Sequence, residues 1–131
     1  MAQTKPLGAM TVLLVEGELL VQRDLIEWLS EQGLKVLTAL TADEAIEVLD
    51  GHPEIDVLLT DIEMPGSMDG IRLAHFVAKR WPPVKIIVLS GRFHTQLSDL
   101  PPDSLFIPKP YHPEALLTAI SGAASGTGHA A

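Results

Sequence analysis

The feature that most limits what this chain can fold into is a rhythm of short apolar runs separated by segments of helical spacing. Met10–Val15 (MTVLLV) is the first run, short enough for a strand buried on both faces. Leu19–Gln32 follows, with Leu19, Leu20, Val21, Leu25, Ile26, Trp28 and Leu29 at helical spacing and Gly33 as a C-terminal stop. Lys35–Ala39 (KVLTA) reads as a second strand, after which Thr41-Ala-Asp-Glu44 is a capping box opening a helix to about Asp50. Gly51 and Pro53 break the chain before the third strand, Asp56–Thr60 (DVLLT). Asp61–Asp69 is a loop, and Asp69 caps a helix from Gly70 to about Arg80 that Pro82 and Pro83 end. Val84–Leu89 (VKIIVL) is the fourth strand. A short helix is expected between about Phe93 and Leu100, stopped by Pro101 and Pro102. Leu105–Ile107 is a brief fifth strand, and Pro113 suits the first turn of a last helix through Ile120. Strands alternating with helices imply an α/β fold, a parallel sheet with right-handed crossovers and helices on both faces.

One domain accounts for the 131 residues. A chain of that size buries roughly two-thirds of its unfolded surface and needs no staple. The expected division is an N-terminal extension over 1–9, the domain over 10–121 and a flexible tail over 122–131, where the residues are small and polar. Met1 and that tail are what a complete small protein would show. The absence of cysteine excludes disulfides, thiolate zinc sites and cysteine nucleophiles, and suits a reducing cytoplasm. No run reaches the roughly 18 apolar residues of a membrane span, and MAQTKPLGAM lacks the marks of a signal peptide. A net charge of −8, with Lys and Arg scattered, disfavours a nucleic-acid partner. A soluble cytoplasmic domain is expected.

In sheets of this kind ligands bind at the carboxyl ends of the strands. The first strand delivers Glu16, Gly17 and Glu18 there, the third Asp61, the fourth Ser90 and the fifth Lys109 followed by Pro110. Clustered carboxylates repel unless a cation joins them, and oxygen ligands suit Mg²⁺. A hydroxyl and an ammonium nearby are what the equatorial oxygens of a phosphoryl group need. The Asp61 carboxylate is then a nucleophile toward phosphorus. Taken singly, each residue has a plainer explanation: a solvated acid, an ordinary Ser90-Gly91 turn, a lysine before a proline, a helix cap at Asp69. Their convergence on one edge is what points to a site.

With these residues in place, the chain resembles the receiver domain of bacterial response regulators from about Met10 to Ile120. The most specific piece is Asp61-Ile-Glu-Met-Pro-Gly-Ser-Met-Asp-Gly70, supported by VLLVE at the first strand, VLSG at the fourth and Pro-Lys109-Pro110-Tyr111 at the fifth. The resemblance implies a flavodoxin-like, doubly wound five-stranded parallel sheet of order 2-1-3-4-5. It implies a phosphoprotein of two-component signalling and not an enzyme, with Asp61 accepting a phosphoryl group from a histidine kinase or phosphotransfer protein. Ser90 would bind a phosphate oxygen, Lys109 would pair with the acyl phosphate, and Phe106 would be the aromatic switch residue. The Lys109–Pro110 bond is expected cis. Mg²⁺ would be held by Glu16, Asp61 and the backbone carbonyl of Glu63. With no DNA-binding or catalytic domain in the chain, the output is expected to be a downstream protein partner or onward phosphotransfer.

Two departures stand out. The family carries two adjacent acids after the first strand, whereas here Gly17 replaces the second, which ordinarily touches the metal. A water fits such a vacancy, and Glu18 is a further candidate ligand from a position pointing differently, so a weakened Mg²⁺ site is expected. The alternative reading is a pseudo-receiver, a phosphorylation-independent protein-interaction module. A metal-dependent phosphatase using Asp61 is a third, disfavoured by Asp61-x-Glu63 in place of Asp-x-Asp. The second departure is the shortened, proline-rich segment where the family's fourth helix would lie. Arg92 and Glu63 flank the site and could pair, at the surface worth only about 0–1 kcal/mol. The five histidines, His52, His75, His94, His112 and His129, show no metal-ligand spacing, and His112 is expected to start the last helix.

Overall fold

The structure, a computed structural model, describes residues 6–91 and 97–124. Its five parallel strands are β1 (Thr11–Val15), β2 (Lys35–Ala39), β3 (Val57–Asp61), β4 (Lys85–Ser90) and β5 (Leu105–Pro108), in the order β2-β1-β3-β4-β5. Four α-helices connect or follow them: α1 (Leu19–Glu31), α2 (Ala42–Gly51), α3 (Gly70–Arg80) and α4 (Pro113–Ala124). This is the doubly wound, flavodoxin-like arrangement expected from the sequence.

Alternation along each strand sorts the core into two layers. Leu13 and Val15 of β1, Leu58 of β3 and Ile86 and Val88 of β4 face α2 and α3, where Ala45, Leu49, Leu73 and Val77 meet them. Val12, Leu14, Val57, Leu59, Ile87 and Leu89 face the other way, onto Leu25 and Leu29 of α1 and Leu116 and Ile120 of α4. The central strands are therefore apolar on both faces, which is why they read as unbroken runs. A short 3₁₀ turn at Leu7–Ala9 precedes β1, and Leu7 packs on the second layer, so the N-terminal extension contributes to the core.

Helix starts follow their caps. Thr41 Oγ1 accepts from Glu44 N at 3.2 Å, and the Glu44 carboxylate reaches back to Leu40 N at 2.9 Å. The reciprocal bond of the expected capping box thus lands one residue earlier than the usual N-cap amide. Asp69 accepts from Arg72 N at 2.9 Å and opens α3 as expected. At the start of α4, Ala115 N donates to His112 O at 2.8 Å.

Several boundaries differ from the sequence reading: β1 begins at Thr11, one residue after Met10, and β5 runs on to Pro108. β3 and β4 each begin one residue later than expected, because Asp56 turns its carboxylate to Thr11 N (2.8 Å) and Val84 N closes a turn on Trp81 O (3.0 Å). The last helix continues to Ala124, past Ile120 and into the stretch read as tail. Between β4 and β5, the helix expected from Phe93 to Leu100 is represented among the described residues by a 3₁₀ turn at Leu97–Asp99. Residues 93–96 of it lie outside the described residues, as do His94, His129 and the expected Arg92–Glu63 pair. No helix among the described residues is long and apolar enough to cross a membrane.

Candidate functional site

Glu16, Asp61, Ser90 and Lys109 all arrive at the carboxyl edge of the sheet. Asp61 is the last residue of β3, opposite Leu89, and only 8 % exposed. One of its carboxylate oxygens, Oδ1, accepts from Ile62 N at 2.9 Å; the other, Oδ2, accepts from Lys109 Nζ at 2.9 Å. Lys109 is brought there by β5, whose following amide donates to Ser90 O at 2.8 Å, and the Lys109–Pro110 bond is cis. Ser90 ends β4 and is buried. Phe106, in β5, is half-buried and leans on the layer beneath α2 and α3.

Glu16 is 3 % exposed, and its carboxylate accepts from Glu18 N at 3.0 Å. Burial pushes its carboxyl above the ordinary 4.5; the Asp61 charge adds to this, while the Glu18 amide and the Lys109 ammonium pull it down. For Lys109, burial is the largest influence and lowers the ammonium. The hydrogen bond to Asp61 and the charges of Asp61 and Glu16 together outweigh it, and the net direction is upward. Burial likewise raises the Tyr111 phenol next to the pair. The pocket thus holds two carboxylates against one ammonium.

That excess of negative charge suits a divalent cation such as Mg²⁺. Glu16 and Asp61 supply two buried carboxylates as oxygen donors, and Mg²⁺ is commonly held by one or two carboxylates with water completing its shell. The residues fit, as a two-carboxylate site. Among the described residues no cluster of three or more acid or histidine side chains could hold a metal ion. Glu18, the further candidate, is exposed and meets the site through its main-chain amide. At the position of the missing second acid, a Cβ on Gly17 would lie 2.7 Å from Pro65 Cδ.

Glu16→Gln is expected to melt higher than wild type at neutral pH in chelator. A group whose folded pKa is raised contributes stability below its unfolded value that is lost as pH rises through the folded one. The difference in midpoint therefore shrinks as pH falls toward 4.5, which thermal melts across that range would show.

Sequence reasoning missed two residues. Gln22 is 8 % exposed, and its Nε2 donates to Glu16 O (3.4 Å) and Ala39 O (3.2 Å), tying the ends of β1 and β2 beside the site. The signal was available, because Gln22 shares the buried stripe of α1 with Leu25 and Leu29. Pro65 gave no such signal, since its contact with Gly17 spans the β3–α3 loop. Of the histidines among the described residues, His52 bonds Val48 O at 2.9 Å and His75 Nε2 bonds Asp99 O at 2.8 Å.

A buried aspartate held by a lysine at the carboxyl edge of a 2-1-3-4-5 sheet defines a receiver domain of two-component signalling. The family model described as the response regulator receiver domain matches residues 12–121, and the chain belongs to that family. It is 34% identical over 117 residues to the sensor kinase CckA of Brucella abortus, covering 86% of this chain and 12% of that protein. The chain therefore spans about an eighth of that relative's length. Among solved structures, a response regulator receiver protein from Sinorhizobium medicae superposes with a TM-score of 0.81 at 30% identity, covering 95% of this chain and 100% of that one. The response regulator TrrA from Thermotoga maritima, solved with Mg²⁺ and beryllofluoride, gives 0.76 at 26% identity over 87% of this chain and 98% of its own.

Proposed function

We propose that this receiver accepts a phosphoryl group on Asp61 from a histidine kinase or phosphotransfer protein, in the cytoplasm, and thereby switches a protein-binding surface. The observation that carries the reading is the 2.9 Å contact between Lys109 Nζ and Asp61 Oδ2. It places a fixed positive charge beside the nucleophilic carboxylate, where negative charge collects on the incoming phosphoryl oxygens. In the transfer, an Asp61 oxygen forms the new P–O bond, the donor's P–N bond breaks, and the leaving imidazole takes up a proton. Glu16 and the carbonyl of Glu63, with Asp61 itself, would hold Mg²⁺, which when bound supplies charge neutralisation for the phosphoryl oxygens. Ser90 would donate its hydroxyl to one of those oxygens. The phosphoryl adds about 1.5 to 2 negative charges at this edge. Ser90 and Phe106 respond as the switch, and residues 10–121 act as the signalling unit. The domain is a phosphoacceptor and no turnover enzyme.

The TrrA structure with Mg²⁺ and beryllofluoride supports using that phosphoryl mimic here. In the test, Mg²⁺ is titrated with and without beryllofluoride while backbone amide shifts are followed. Saturable Mg²⁺-dependent shifts at Asp61, Ser90 and Phe106 are expected. Silence at all three at millimolar Mg²⁺ would sink the proposal. Steady turnover of a phosphomonoester would instead revive the phosphatase reading.

The Pro65 ring over Gly17 favours a second reading, the pseudo-receiver that binds its partner without phosphorylation. The two separate cleanly: under the second, partner binding is the same in Asp61→Asn as in wild type.

A further inference from the structure

We propose that a cavity at the amino edge of the sheet, between the end of α3, the start of β4 and the turn before β5, binds a free α-amino acid with an aliphatic side chain. The cavity has a volume of about 240 Å³. Pockets for drug-sized ligands run to roughly 300–1,000 Å³, so this one suits a molecule the size of a single amino acid. It lies at the opposite end of β4 from Ser90, about 17 Å along the strand, and is therefore separate from the Asp61 edge. Ala78, Val84 and Ile86 give it an apolar wall, and among the described residues no aromatic ring lines it. Pro82, just past α3, and Pro102, in the turn before β5, also line it and are exposed. Two fixed prolines leave little of that surface to be ordered when a ligand arrives.

Three polar residues, Lys85, Asp103 and Ser104, line the same cavity. Among the described residues neither Lys85 nor Asp103 forms an ion pair, with the other or with any further side chain. A zwitterion answers both charges, its carboxylate toward Lys85 and its ammonium toward Asp103. Ser104 is 8 % exposed, and its Oγ is the one buried side-chain polar atom among the described residues that has no hydrogen-bond partner. A buried hydroxyl left unpartnered is destabilising, whereas a ligand carboxylate would accept from it. Asp103 takes φ +68 at the third position of a turn closed by Ser104 N, which donates to Pro101 O at 3.2 Å. Glycine suits that place better, but it would bring no carboxylate. Positions 103 and 104 thus both hold polar groups that the fold alone does not require.

The test is a titration of the full chain with L-leucine, read by backbone amide shifts and by thermal midpoint. Mg²⁺ and phosphoryl donors are left out, so the result does not depend on the phosphoacceptor reading. Saturable shifts at Ile86, Asp103 and Ser104 are expected, with a midpoint that rises with leucine concentration. N-acetyl-leucine has no ammonium and leucinamide no carboxylate, and each is expected to bind about tenfold more weakly or worse. Asp103→Asn removes the charge and suits the same turn, and Lys85→Met keeps the apolar stem; each is expected to weaken leucine binding by about tenfold. Ser104→Ala is expected to raise the midpoint of the ligand-free protein, because it removes the unpartnered hydroxyl, and yet to weaken leucine binding. No saturable shift at tens of millimolar leucine would overturn the proposal. So would either blocked leucine binding as tightly as leucine itself, which would mark a chain terminus or a general apolar contact instead. Wild-type leucine affinity in both Asp103→Asn and Lys85→Met would overturn it as well.

Discussion

Asp61→Asn is expected to abolish covalent labelling by a phosphohistidine donor or a small acyl phosphate, with the fold intact. The carboxamide is nearly isosteric, so its oxygen can still accept from Ile62 N, as Asp61 Oδ1 does at 2.9 Å. What is lost is the anion that attacks phosphorus, and no other side chain at the edge replaces it: Glu16 is buried and engaged with the Glu18 amide. Stability moves by two opposed contributions. The ion pair with Lys109 is weakened, but the repulsion between Asp61 and Glu16, which helps hold the Glu16 carboxyl up, also disappears. Since the pair is part-exposed on the lysine side, its loss costs little beyond about 1 kcal/mol, and a cooperative melt near the wild-type midpoint is expected. Labelling measured by acid-labile phosphate, beside a thermal melt of the same sample, checks both halves. Persistent labelling in Asp61→Asn would move the acceptor elsewhere.

Gly70→Ala is expected to be the most damaging glycine-to-alanine change among the described glycines. Elsewhere in a helix the change helps, by up to about 1 kcal/mol. At Gly70, the first residue of α3, a Cβ would collide with the carbonyl oxygen of Asp61 and lie 2.8 Å from Ile62 Cα. All the atoms it meets are main chain of the strand end that carries Asp61, and Gly70 N is itself bonded to Ile62 O at 2.8 Å. Overpacking of this kind typically costs about 1–3 kcal/mol and more where nothing can move aside. The steric cost outweighs the helical gain, and a midpoint lower by roughly 10 °C is expected. Gly122→Ala is the control: it lies within α4, a Cβ there would meet nothing within 4 Å, and an unchanged or raised midpoint is expected. Equal melts for the two variants would mean that α3 is not anchored as tightly as its first residue indicates.

The parts of this fold that were legible in the sequence are those fixed by local periodicity and by capping chemistry. The five runs, Asp69 at the start of α3 and Pro113 at the start of α4 all needed only neighbours in sequence. Convergence of Glu16, Asp61, Ser90 and Lys109 followed from topology, because parallel strands with helical crossovers put every carboxyl end on one edge. The reading lost accuracy where long-range contacts decide. Asp56 looked like the first residue of a strand, yet its carboxylate is spent on Thr11 N, 45 positions away. Gly17 looked like an absence. Only the folded β3–α3 loop shows that a Cβ there would meet a proline ring, because Pro65 is 48 residues further on and nothing about a lone proline announces where its ring will rest. Gln22 sits between these cases, readable as a polar residue on an apolar stripe, but with an acceptor pair, Glu16 O and Ala39 O, that only the assembled sheet supplies.

The strand ends differ from the loops above them in one mechanical respect. Glu16 N is tied to Ala39 O at 3.1 Å, Ile62 N to Leu89 O at 3.1 Å and Lys109 N to Ser90 O at 2.8 Å, so the sheet's ladder runs on through the residues that bear the chemistry. These ties join β1 to β2, β3 to β4 and β4 to β5 at the carboxyl edge. Under the phosphoacceptor reading proposed above, stiffness of that kind would leave the edge little compliance with which to absorb a new charged group on Asp61. Displacement must be taken up by whatever is not in the ladder, the hydroxyl and aromatic side chains and the loops that rest on the rim. On that reading a signal written at such an edge would leave through its softest neighbours, with the strands beneath as the fixed frame against which their movement is measured.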